Sequence, residues 1–180
     1  MLEDRLLIWK FKHGSADALQ AIYEKYRGSM LTVAAALCND VNTAEDVVQD
    51  CFVSFARLGR SIRSKGSLKG YLLTSVVNRV RDLHRSGRHK PGPLEYAETF
   101  GSNEPEPPTT AICNEQMQAV RGALEKLPAE QREVVVLYTR GRITFKQIAE
   151  SLNLTLPTVQ SRYRYGLDKL RVLLNGELKP

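Results

Sequence analysis

The sequence predicts an all-α protein: two helical domains joined by a Pro/Glu-rich linker, the second containing a helix-turn-helix. Three observations predict it. Apolar residues recur three and four positions apart towards both ends of the 180-residue chain, and no stretch alternates with period two for long. Helices are therefore expected and a sheet is not. Five of the eight prolines fall between residues 89 and 110. Proline lacks a backbone donor and disfavours helix, so this stretch reads as a linker. Charge changes there too: residues 55–90 hold ten Lys/Arg and one acid, Asp82, whereas 91–120 hold five Glu and no Lys/Arg. The expected division is 1–88, a linker over 89–110, and 111–176.

The elements follow in chain order. Leu6–Phe11 (LLIWKF) reads as the buried face of a first helix. Ala18–Tyr26 places Leu19, Ile22, Tyr23 and Tyr26 on one helical face, and Met30–Cys38 continues with an apolar run. Val47, Val48, Cys51, Phe52, Phe55 and Leu58 form the broad stripe of an amphipathic helix. Asn42-Thr43 ahead of Ala44-Glu45-Asp46 offers a cap, then acids at the positive end of the helix dipole. Ser67 caps a helix running to about His84.

Beyond the linker, Ala111–Lys126 is expected as one helix, broken by Leu127-Pro128. The next runs from Ala129 to about Arg140, with Val134, Val135, Leu137 and Tyr138 inward, and Gly141 stops it. Thr144 and Gln147 fit a capping box, so a helix of about two turns follows through Ile148, Ala149 and Leu152. Asn153 suits a left-handed turn position. Thr155 caps a last helix reaching about Leu174, with Val159, Tyr163, Leu167 and Leu170 as its core face.

Composition limits the function. Hydrophobic residues are 42% and charged residues 26%, which excludes disorder throughout and a disulfide-built mini-protein. A net charge of +6 favours an acidic partner such as nucleic acid. The three cysteines, Cys38, Cys51 and Cys113, are odd in number and not at metal-ligand spacing. They read as reduced packing residues of a cytoplasmic protein. The acids Glu3 and Asp4 are unlike a signal peptide, and no run of ~18 apolar residues spans a bilayer. The histidines, His13, His84 and His89, lie in no catalytic or metal arrangement, and no glycine-rich phosphate loop is present. No enzyme, metal or cofactor is expected.

Two stretches carry recognition chemistry. The last two helices have helix-turn-helix proportions, and such a second helix lays its N-terminal side chains on base edges in the major groove. Thr158, Gln160, Ser161, Arg162, Arg164 and Tyr165 stand there. Gln pairs with adenine and Arg with guanine. The second stretch is the basic block, where Arg79, Arg81 and Arg85 share a helix with Asn78, Asp82 and Tyr71. Cations track phosphates, and an exposed aromatic ring stacks on an unpaired base.

Three segments in order resemble one family. TAEDVVQDCFVSFARL (43–58), GSLKGYLLTSVVNRVRDLHR (66–85) and LPAEQREVVVLYTRGRITFKQIAESLNLTLPTVQSRYRYGLDKL (127–170) are similar to the conserved regions of bacterial RNA polymerase sigma factors of the extracytoplasmic-function type. The resemblance implies core RNA polymerase and promoter DNA as partners, with promoter-specific initiation as the function and an anti-sigma factor as a possible inhibitor. Asp46, Gln49, Asp50 and Phe52 fall where the family docks on polymerase. Tyr71, Asn78, Arg79, Asp82 and Arg85 fall in the −10 stretch, and the six residues of the last helix in the −35 helix. Tyr71 stands where the family usually has Trp, Val77 where it often has Arg, and Pro157 where it usually has Gly. The alternative is a stand-alone helix-turn-helix regulator. It explains 127–170 and leaves the other two segments without a role.

Overall fold

A computed structural model describes residues 2–58, 67–87 and 110–177, with side chains in the last segment from Gln116 to Gly176. Every element among them is a helix: α1 (Leu2–Lys12), α2 (Ala16–Cys38), α3 (Val41–Leu58), α4 (Leu68–Arg85), α5 (Thr110–Glu125), α6 (Ala129–Thr139), α7 (Phe145–Leu152) and α8 (Leu156–Glu177). The expected linker falls outside the described residues, apart from Thr110.

The helix ends show how local chemistry sets the boundaries. Ser15 accepts from the Ala18 amide at 3.2 Å and opens α2. Asn39, at φ 55°, closes it with its amide on the Ala35 carbonyl. α2 is one helix through both apolar stretches. Gly28 lies between them, and its cost of roughly 1 kcal/mol does not break a helix packed along its length. Asp40, not Asn42 or Thr43, caps α3, because its carboxylate accepts from the Thr43 amide at 2.7 Å. Ser67 caps α4 through the Gly70 amide at 3.0 Å.

In the second half, Thr144 and Gln147 close a reciprocal capping box on α7. Asn153 takes the left-handed conformation at φ 55°. Thr155 accepts from the Thr158 amide at 3.3 Å and opens α8. The turn after α6 differs from expectation. Arg142, at φ 50°, is its left-handed residue. Gly141 serves close approach instead, since a Cβ there would stand 2.9 Å from Leu73 Cδ1 and 2.5 Å from the Leu137 carbonyl oxygen.

The core of the first half joins α2, α3 and α4 through Ile22, Met30, Val33, Val47, Phe55, Leu72 and Val76, all fully buried. Phe55 stacks on Phe11 with ring centroids 5.0 Å apart, and burying such a ring is worth about 1.5–3 kcal/mol. α1 is only partly spent on this core. Phe11 is buried, whereas Leu6 and Trp9 are more than half exposed, so the LLIWKF stretch is not one buried face. Polar contacts hold α1 down instead: Lys25 pairs with Glu3 and Asp4 at 2.6 and 2.9 Å, and the Tyr26 hydroxyl donates to Asp4 at 2.6 Å.

The core of the second half is Val134, Leu137, Ile148 and Val159. Three rings lock its helices together. Tyr138 of α6 stacks on Phe145 of α7 at 4.4 Å, and Tyr163 of α8 meets them at 4.9 and 5.0 Å. Tyr138 does this from the rim, still 40% exposed, rather than pointing inward as expected. The two halves also touch each other, α4 against α7 and α2 against α6.

Candidate nucleic-acid and polymerase-binding surfaces

α8 owes its orientation to Val159, Gly166 and Leu170, which bury one face against α6 and α7. At 100° per residue, Ser161, Arg164, Tyr165 and Asp168 then point the other way, with Thr158 and Gln160 flanking them. Arg164 lies with its guanidinium 5.1 Å from the Tyr165 ring centroid, and both are exposed. Thr158 spends its hydroxyl on the cap, 2.7 Å from Thr155 Oγ1. Ser161 donates to the Thr158 carbonyl at 2.9 Å. Arg162 stands apart. It lies at the edge next to α6 and pairs with Glu130 at 2.7 Å, with 23% of its side chain exposed. Five of the six predicted residues thus share or flank the outer face, and Arg162 is turned toward its own domain.

α4 carries the second predicted set. Tyr71, Ser75, Asn78, Asp82 and Arg85 repeat at three and four, which makes one stripe along the helix. Asn78, Asp82 and Arg85 are exposed, and Arg85 pairs with Asp82 at 2.9 Å. Tyr71 is half-buried, 6.1 Å from the Phe55 ring, and burial raises its phenol pKa. Its ring is tilted 51° to that of Phe55. Arg79 leans the other way and pairs with Asp50 of α3 at 2.5 and 3.0 Å.

The predicted polymerase-docking residues lie on α3. Asp46, Gln49 and Asp50 are exposed and adjacent. Phe52 is not on that surface: it is 7% exposed, and its ring meets Tyr23 edge-on at 4.8 Å. Its hydrophobic area is already used, so it offers no ring to a partner. The Asp50–Arg79 pair joins the α3 acids to the basic helix. Both side chains are about half exposed, so solvent screens the pair and its worth is modest.

One pair escaped the sequence reading. Arg81 of α4 grips Glu133 of α6, through Nε at 2.6 Å and through Nη2. Glu133 is 4% exposed. Beside that carboxylate the Arg81 guanidinium is held protonated more firmly than usual. Among the described residues no group of His, Cys, Asp or Glu could hold a metal ion, and no helix is long and apolar enough to cross a membrane.

Comparison with known proteins agrees with this geometry. The "Sigma-70 region 2" family matches residues 22–90, and "Sigma-70, region 4" matches residues 123–172. The RNA polymerase sigma factor CnrH of Cupriavidus metallidurans is 25% identical over 97% of this chain and 95% of its own length. The ECF RNA polymerase sigma factor SigK of Mycolicibacterium vanbaalenii is 27% identical over 88% of this chain and 83% of its own. The probable RNA polymerase sigma factor RfaY of Xanthomonas campestris pv. campestris is 27% identical over 97% of this chain, which spans only 44% of RfaY. The fold is shared with CnrH in its complex with the cytosolic domain of CnrY, at a TM-score of 0.75, 22% identity and coverage of 97% and 98% of the two chains. It is shared also with RpoE in complex with the anti-sigma factor NepR from Bartonella quintana, at 0.62 and 22%, covering 87% and 91%. With the region 2 and region 4 segments in the family's order and the helix-turn-helix formed by α7 and α8, the chain belongs to the sigma-70 family, as a sigma factor of the extracytoplasmic-function type.

Proposed function

We propose that this protein binds core RNA polymerase and directs it to promoters, with α8 reading the −35 element and the outer stripe of α4 reading the melted −10 strand. One observation carries the reading. Two separate polar, cation-bearing faces stand on two helical halves of one chain, in the order of region 2 and region 4. Gln160, Ser161, Arg164 and Tyr165 supply donors and an aromatic ring for duplex edges. Asn78, Arg79, Asp82 and Arg85, with Tyr71 beside them, supply hydrogen bonds, phosphate contacts and a stacking surface for an unpaired strand. Arg162 acts from the rim, held by Glu130. The acids Asp46 and Asp50, with Gln49, form the polymerase-docking surface, and Phe52 supports it from the core.

The halves act as domains over 1–88 and 111–176, joined by 89–110. The protein is an initiation factor without a reaction of its own, and it works in the cytoplasm. Its fold neighbours are seen in complexes with CnrY and with the anti-sigma factor NepR, which supports an anti-sigma partner here as well.

The test is co-elution of the purified chain with core polymerase in the absence of DNA. A one-to-one complex is expected. The double variant Asp50→Ala/Gln49→Ala should weaken it about tenfold, by removing one charge-assisted contact and its neighbour. No complex with the folded wild type would favour the stand-alone regulator, and an unchanged affinity in the variant would move the docking surface elsewhere.

A further inference from the structure

A cavity of about 230 Å³ lies between α2 and α4 on one side and α6 on the other. Close-packed protein interiors hold few voids larger than a water molecule, so this one is large. Its inner wall is made by Leu37, Val77 and Val80, all buried. His84 and Ala129 line it too and are exposed, so the cavity is entered from solvent on their side.

The wall is apolar, and one polar group in it is unspent. Arg132 lines the cavity, and its Nε is buried with no hydrogen-bond partner among the described residues. A buried donor left unpaired bears its full desolvation cost, which is greater when the group is charged. The other permanent charges of the lining are used on each other. Glu133 takes hydrogen bonds from Arg81 through Nε and Nη2. Arg81 and Glu133 cancel, so one positive charge remains, that of Arg132.

Water suits such a space poorly. A buried water makes about three hydrogen bonds, and Leu37, Val77, Val80 and Ala129 offer it only hydrocarbon side chains. A molecule with an apolar body and one anionic end meets both the wall and the guanidinium. An apolar cavity of ~150 Å³ holds a benzene ring. The larger space here takes a ring or a short chain together with a carboxylate. A nucleotide is too big for it, and a dianionic phosphate would find one unspent cation for its two charges.

We infer that this cavity is a binding site for a small organic monocarboxylate, with the Arg132 guanidinium pairing its acid group and Leu37, Val77 and Val80 enclosing its apolar body. A guanidinium is the side chain best matched to a carboxylate, which can accept two of its N–H groups side by side. The site goes beyond the polymerase and promoter contacts proposed above, since none of its lining residues is among them.

Benzoate and hexanoate are the probes. Each is titrated into the full chain and followed by isothermal calorimetry and by the methyl NMR signals of Leu37, Val77 and Val80. A Kd of about 1 mM or tighter is expected for acids of this size, with those methyl signals shifting as the site fills. Benzamide has the shape of benzoate without its charge and should bind at least about tenfold more weakly. Arg132→Met should weaken benzoate by about tenfold or more and leave benzamide within about twofold. Ala129→Phe, which puts a ring at the exposed entrance, should weaken both acids by about tenfold or more. Circular dichroism checks the fold of each variant. If Arg132→Met does not fold, Ala129→Phe and the benzamide comparison decide. Absence of saturable binding by both acids up to about 10 mM overturns the proposal. So does benzamide binding as tightly as benzoate, or an unchanged benzoate affinity in either folded variant. Shifts confined to methyl groups outside the cavity overturn it as well.

Discussion

Gly166→Ala sets two effects of opposite sign against each other. Glycine in a helix interior costs about 1 kcal/mol relative to alanine, so α8 gains that much. Against this, a Cβ at position 166 would stand 2.9 Å from Val135 Cγ2 and 3.5 Å from Gln131 Cβ. Carbon atoms rest at about 3.5–4.0 Å, so the first contact is too short by at least ~0.6 Å. Val135 is buried on α6, and a β-branched side chain in a helix keeps one strongly preferred rotamer, so the methyl cannot swing away. α8 has to move, and overpacking of this kind costs about 1–3 kcal/mol. The expected net effect is a destabilisation of roughly 1 kcal/mol. Val135→Ala alone should cost about 2 kcal/mol. The double variant should fall short of the sum by at least about 1 kcal/mol, because the methyl at 166 fills the vacated space. Urea denaturation of the full chain, followed by circular dichroism, reads all four corners of the cycle. A Gly166→Ala protein more stable than wild type by ~1 kcal/mol, or a cycle with no coupling, would refute the close approach of α8 to α6.

Two further outcomes test the surfaces. Arg164→Ala should weaken binding to a −35 duplex about 10- to 100-fold, the worth of one base-reading arginine. Arg162→Ala should cost only the ~0.2–1 kcal/mol of a part-exposed pair with Glu130 and leave sequence preference intact, and fluorescence anisotropy against a base-substituted duplex separates the two. Asp4 gives a pH dependence. Burial acts to raise its pKa, but hydrogen bonds from Tyr26 and Lys25 outweigh that and hold it below the usual 3.8. A depressed carboxylate stabilises fully above its unfolded pKa, and that stability is lost as pH falls through the folded value. Asp4's contribution to the anchoring of α1 should therefore be full above about pH 4, decline as pH falls from there, and be lost once pH has passed through the lowered folded value. Trp9, the chain's one tryptophan, lies on α1 and reports this by fluorescence, and Asp4→Asn should abolish the acid step.

What was legible in the sequence was local. Ser67, Thr144 with Gln147, Asn153 and Thr155 sit where their short-range chemistry puts them, because a cap is decided within four residues. The core face of α8 follows from spacing alone. The misreadings come from competition between neighbours or from contacts across the chain. Asn42, Thr43 and Asp40 can all cap, and the charged Asp40 wins. Gly141 and Arg142 can each end a helix, but Leu73 arrives from 68 positions away and leaves room only for hydrogen at 141. Phe52 reads equally as docking ring and core ring until Tyr23 is placed against it. Arg162 belongs to the recognition helix by spacing, yet Glu130 of α6 holds it. The Arg81–Glu133 pair joins residues 52 apart, and no periodicity within one helix announces such a partner.

A trace of that partner is nevertheless present in α4. A surface helix needs an apolar face of about 100° to cover one core. The buried positions of α4, from Leu68 through Gly70, Leu72, Leu73, Thr74, Val76 and Val77 to Val80, sweep roughly 240° of its circumference. Leu72 and Val76 lie toward α2 and α3. Gly70, Leu73, Val77 and Arg81 lie a further third of a turn round, toward α6 and α7. A helix apolar over that arc must be covered on two sides, and the first half supplies only one cover. The remaining arc is the stripe of Tyr71, Asn78, Asp82 and Arg85. The width of the apolar arc thus measures how many neighbours the helix has. In the docked form α4 serves its own core, the other half and the solvent at once. Removal of the second half would expose Leu73 and Val77 to water.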